Sequence, residues 1–154
     1  MRTELLTGRD VPDLRVLALA AALALDLDGA VFCRLVGAES DWQVRAATAS
    51  SVGLAQINQA AWDWWPVDPF EPSANLAMGA WILKWNYAYR FDAENEQERW
   101  RQAVASYTLG HAAVNRLIAE HGDGWMDALS EPVRRYVENI VTGERARIGE
   151  AVAI

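Results

Sequence analysis

Apolar residues recur at three- and four-residue spacing along most of the chain, and no stretch alternates apolar and polar positions cleanly over six residues. That is the pattern of amphipathic helices, and it predicts an all-α protein. A first helix spans about Leu14 to Leu25. The Asp26-Leu27-Asp28-Gly29 break both ends it and offers an N-cap to a second helix, which runs to about Glu39. From Ser40 to Val52, Ser, Thr, Ala and Asp mix without a period; Gly53 then opens a helix that carries Trp62, Trp64 and Trp65 and that Pro66 must stop. Pro66, Pro69 and Pro72 fix an extended connection, after which Ser73 caps a long helix from Ala74 to about Arg90. Another helix starts near Asn95 with acidic residues in its first turn, and Gly110 separates it from a segment ending at Gly122. Pro132 suits the first turn of a last helix, which frays into a polar tail.

Composition narrows the class. A chain of 154 residues that is 52% apolar buries one proper core, and with no repeat, linker or low-complexity block the sequence reads as a single domain over 1–154, expected to be a monomer. The run from Val16 to Leu25 is too short to span a bilayer, so membrane insertion is not expected. Its flanks, with Glu4, Asp10 and Asp13 before it and Asp26 and Asp28 after it, are wrong for an export signal; it reads as a buried first helix. Cys33 stands alone, so no intrachain disulfide is possible, and in an apolar helix it reads as a small buried hydrophobe. His111 and His121, without a Cys or His cluster beside them, imply no metal. The tryptophans at 62, 64, 65, 81 and 85 read mainly as core, with either Trp64 or Trp65 free to line a groove. Fourteen basic against twenty-one acidic residues give a net charge of -7 with no basic cluster, which excludes nucleic acid as an expected partner.

The chemistry gathers around one carboxylate. Val31, Leu35 and Glu39 lie four residues apart, with Phe32 and Val36 beside them, so helical spacing puts Glu39 on the apolar stripe near the helix C-terminus. Poor solvation and the negative end of the helix dipole both act to raise a glutamate pKa toward the range of a general acid. On spacing alone, a glutamate that turns its head to water is the stronger reading of the position.

The neighbourhood separates the two. Glu39-Ser40 is followed by Gly53-Leu54-Ala55-Gln56-Ile57, by Asn75-Leu76 with Gly79, by Ala103-Val104-Ala105-Ser106-Tyr107 with Gly110, and by Arg134 and Tyr136-Val137. In this order and at these intervals the residues resemble the lytic transglycosylase domain, a lysozyme-like helical fold with an active-site groove, over about 29–142. The resemblance implies Glu39 as the catalytic residue, Gln56 facing the sugar, Tyr136 beside the glutamate, and Ser40 orienting either the glutamate or the substrate's acetamido group; a plain helix-end hydroxyl is the other reading of Ser40. Tyr107 and Thr108 fall in the block that holds the sugar. Thr108 stands where the family has an amide, and Glu131-Pro132-Val133 shifts an acid by one position before Arg134.

What the resemblance implies in function is cleavage of peptidoglycan glycan strands with no cofactor. Glu39 would protonate the oxygen between N-acetylmuramic acid and N-acetylglucosamine and then take the proton of the muramyl C6 hydroxyl, closing a 1,6-anhydro ring. A two-carboxylate glycosidase needs a second acid about 5 Å away or farther. Asp41, two residues after Glu39, would point to another face of a continuing helix, and Asp63 and Asp68 have no motif behind them, so a single-acid mechanism fits better. Two alternatives stay open: a hydrolytic muramidase of the goose-type lysozyme kind, and a virion or tail component that keeps the fold without turnover. The absence of an export signal favours a phage or prophage protein acting from a virion or after lysis begins.

Overall fold

Leu14, Ala18 and Ala22 fall four apart and share one buried stripe of helix α1 (Val11–Ala24), which packs on α2 (Gly29–Ser40). The computed structural model describes residues 11–63 and 66–143. These fall into two compact units, one up to Ile82 and one from Leu83. Between α1 and α2, Asp26 takes a left-handed conformation (φ 51°) and Asp28 caps α2, its carboxylate accepting from the backbone N–H groups of Ala30 (3.0 Å) and Val31 (3.1 Å). The inner face of α2 is Val31, Phe32, Leu35 and Val36, all buried; each such side chain contributes about 1.5–3 kcal/mol when removed from water. Asp41, again left-handed (φ 51°), stops the helix, with its N–H donating to the Gly37 carbonyl.

The stretch without a helical period builds a small antiparallel hairpin. Strand β1 (Ser51–Val52) pairs with β2 (Ile57–Asn58), Ser51 opposite Asn58 and Val52 opposite Ile57. The Asn58 side chain then caps the short helix α3 (Gln59–Trp62). The Gly53 helix of the sequence reading is therefore a turn and a strand, and the helix starts six residues later. Two-residue strands carry no alternation for sequence to detect. Ala55, Ile57, Trp62 and Met78 form the buried cluster under the hairpin.

Helix α4 (Pro72–Tyr89) begins one residue before Ser73, so Ser73 is not its cap. That role falls to Glu71, whose carboxylate accepts from the Ala74 N–H at 2.7 Å, with Pro72 at the first helical position. The second unit holds the end of α4 with α5 (Glu96–Leu109), α6 (His111–His121), a 3-10 segment (Gly122–Ala128) and α7 (Glu131–Thr142). Asn95 caps α5, and Gly110, at φ 83°, ends α5 and starts α6. Helix α5 packs on both α6 and α7 around Trp100, Val104, Val114, Val137 and Ile140. Glu98 ties the unit together, accepting from the Trp125 indole N–H (2.5 Å) and the Gln102 amide (3.1 Å), and Arg101 bridges to Glu138 (2.8 Å).

Two further expectations need correction. Helix α1 is not buried all round: Val16, Leu19 and Leu23 lie on an exposed face. Nor are the helical tryptophans all core. Trp62 is buried, whereas Trp81 and Trp85 are 52% and 61% exposed. A helix is helical on every face, so spacing cannot say which turn of aromatics finds a neighbour. Trp64 and Trp65 lie outside the described residues, as does the tail beyond Gly143.

Candidate active site

Helix α2 carries the buried stripe to its end, and Glu39 follows Val31 and Leu35 on it, half-buried one residue before the final Ser40. Ser40 itself is buried, and its hydroxyl donates to the Val36 carbonyl at 3.1 Å. Its proton is thus committed to the helix, and only its lone pairs remain for another group.

Gln56 sits at the end of the Gly53–Gln56 turn, in a left-handed conformation (φ 51°). Its amide nitrogen donates to the carbonyls of Ala46 (3.1 Å) and Gly53 (2.9 Å), so the side chain braces the turn, and its oxygen is the atom left to accept from a hydroxyl. The residue that positions the turn is Asn75 on α4, fully buried. It accepts from the Ala55 N–H (2.7 Å) and donates to the carbonyls of Val52 (3.0 Å) and Pro69 (2.9 Å). Gly53 has to be glycine on two grounds: its φ is 80°, and a Cβ there would fall on the Asn75 amide. Sequence reasoning placed Asn75 in a motif and gave it no role. The available signal was an amide on the apolar side of a helix, beside Leu76 and Met78, where an uncompensated polar group is costly.

Glu39, Ser40, Gly53, Gln56 and Asn75 all belong to the first unit. The second unit carries Tyr107, half-buried, and Thr108, exposed, in the last turn of α5, and Tyr136, half-buried, on the adjoining α7. Glu131, at the start of α7, pairs with Arg134 (3.4 Å) and Arg135 (3.0 Å). The other acids of interest are placed by the fold. Asp41 is the exposed cap of α2, and Asp68 accepts from the Phe70 N–H at 2.9 Å in a tight turn. Burial pushes the Cys33 thiol up, with Arg15 and Arg34 pulling the other way, which leaves it protonated and unreactive near neutrality.

An all-helical chain with a small hairpin after its second helix, and with a glutamate in that helix's last turn, is a lysozyme-like domain. Residues 17–128 match the transglycosylase SLT domain family, and the chain belongs to that family. No curated protein matches it. The match begins inside α1, earlier than the motif resemblance, and takes in Glu39, Ser40, Gln56, Tyr107 and Thr108 but stops short of Tyr136. At family level it carries peptidoglycan lytic transglycosylase-type activity and peptidoglycan as the substrate. No helix among the described residues is long and apolar enough to cross a membrane.

Proposed function

We propose that this protein is a lytic transglycosylase in which Glu39 is the one catalytic acid and base. The supporting observation is the position of Glu39 on the last turn of α2, half-buried at the end of a buried apolar stripe, inside the stretch that matches the family. A half-buried carboxyl beside an apolar stripe is suited to both giving and taking a proton.

In the proposed reaction, the Glu39 carboxyl gives its proton to the oxygen joining N-acetylmuramic acid to the next N-acetylglucosamine, and the C1–O bond breaks with its electron pair leaving on that oxygen. The substrate's acetamido oxygen holds the positive C1. The Glu39 carboxylate then takes the proton of the muramyl C6 hydroxyl as that oxygen bonds to C1, which closes the anhydro ring and restores the acid. The Gln56 oxygen, left free of its turn, would accept from a sugar hydroxyl, the Ser40 lone pairs can take the acetamido N–H, and the motif resemblance offers Tyr107, Thr108 and Tyr136 as further sugar contacts. Asp41 and Asp68 serve as a cap and a turn, which fits a single-acid mechanism.

The test is mass spectrometry of products released from purified peptidoglycan by the wild type and by Glu39→Gln. Anhydro-muropeptides that disappear in the variant are the expected result. Reducing-end products would instead make the chain a muramidase, and no release by either protein would leave the fold without turnover.

A further inference from the structure

Arg90 is a buried arginine just past the end of α4, and its guanidinium donates to three neutral residues, Ser106, His111 and Asn115. One of its terminal nitrogens, Nη2, donates to the Ser106 hydroxyl oxygen (2.9 Å) and to His111 Nδ1 (3.0 Å), with a longer approach to the His111 carbonyl (3.4 Å); the other, Nη1, donates to the Asn115 side-chain oxygen at 2.5 Å. Ser106 and His111 flank the block Tyr107-Thr108-Leu109-Gly110. A single nitrogen therefore staples the residue before that block to the residue after it.

The hydrogen bonds run in one direction only. The Ser106 hydroxyl spends its proton on the Gln102 carbonyl (2.7 Å) and so accepts from Arg90. The Asn86 amide nitrogen donates to the Ala103 carbonyl (3.3 Å), which turns the Asn86 oxygen toward His111 Nε2 at 2.9 Å. With an acceptor facing Nε2 and an obligate donor facing Nδ1, the imidazole is the neutral tautomer with its proton on Nε2. The charged and titratable groups around it are Arg90 and Tyr89, whose ring lies 4.2 Å from the imidazole, with Asp92 acting on the Arg90 charge; Ser106 from α5 and Asn115 from α6 are neutral.

Building on the lytic transglycosylase reading above, we infer that Arg90 and His111 are positioning residues for substrate, fixing through Ser106 and across Gly110 where Tyr107 and Thr108 stand. Gly110 at φ 83° is a joint with open space around it, so the turn has no steric stop of its own. A guanidinium with fixed donor directions supplies that stop, whereas a lysine, with one rotating head, would lose the second arm to Asn115 and with it the fixed aim at Ser106 and His111.

The experiment compares wild type, Ser106→Ala, His111→Gln and Arg90→Lys on a soluble peptidoglycan glycan, with KM and kcat determined separately and thermal melting recorded for each. Ser106→Ala removes only the hydroxyl and keeps the helix, and His111→Gln keeps an N–H donor for Asn86 while taking the acceptor away from the Nδ1 position that Arg90 meets. Both are expected to melt cooperatively and to raise KM about tenfold, the scale of one lost charged hydrogen bond, with kcat within about twofold. Histidine nitrogen NMR is expected to show the Nε2–H tautomer in the wild type. Unchanged KM in folded Ser106→Ala and His111→Gln overturns the inference, and so does a fall in kcat that merely follows lost melting temperature. A wild type with no turnover overturns the underlying enzyme reading, and the inference falls with it.

Discussion

Asn75 serves three backbone groups at once, accepting from one N–H and donating to two carbonyls. Asn75→Ala is expected to cost about 3 kcal/mol, because the Ala55 N–H loses its partner in a buried place and the turn holding Gln56 loosens. Urea unfolding of the variant measures this, and a loss below about 1 kcal/mol would mean that water replaces the amide. His111 gives a pH signature. Burial first, and then the Arg90 charge, hold its imidazole below the ordinary 6.5. Above 6.5 it is neutral in the folded and unfolded chains alike and has no effect on stability; below 6.5 the unfolded chain takes up a proton that the folded chain refuses. Stability is expected to fall as pH drops from 6.5 and to level off once the folded His111 protonates too. The advantage of wild type over His111→Gln in urea midpoint should therefore shrink between about pH 7.5 and about pH 5.5; an advantage that grows reverses the sign of the linkage.

Helix α2 is the element on which the proposed chemistry stands, and its two ends are made differently. At its start, Asp28 satisfies two otherwise unpaired N–H groups, so Asp28→Ala is expected to lower stability by about 1 kcal/mol. The fraying falls in the first turn, far from Glu39, and kcat should hold. A denaturant melt paired with an activity assay checks both halves, and a loss of kcat at unchanged stability would show that the cap reaches the site. At the other end, two successive left-handed residues, Asp41 and Trp42, turn the chain out of the helix directly after the Glu39-Ser40 pair. Buried Trp42 carries the Arg15 guanidinium 5.5 Å from its ring centroid, which ties this turn to α1.

At the scale of the whole molecule, a net charge of -7 faces a substrate wall that is itself anionic. Long-range repulsion slows encounter and is screened by salt. The initial rate on intact wall is expected to rise as sodium chloride goes from about 20 to about 150 mM, while the rate on a neutral soluble glycan stays level. A rate on wall that falls over that range would point to a local basic contact outweighing the net charge. The family match spans both compact units and covers residues on each that the sequence nominated for the site.

The sequence by itself determined the helical class, the breaks at Asp26–Gly29, Gly110 and Gly122, the helix start near Asn95 and the last turn of α2 with Glu39 on its apolar stripe. These follow from local rules, namely residue spacing, cap chemistry and left-handed glycine, which need no distant partner. Tertiary structure alone decided the rest. The hairpin depends on pairing rather than pattern, and Asn75 matters because residues 52, 55 and 69 come to it. Exposure of Trp81 and burial of Trp62 depend on which neighbour each helix face meets, and Arg90 gains its place from Ser106 and His111 across a turn that sequence reads only as a glycine break. Periodicity reports which side of an element is apolar. It does not report what that side will touch.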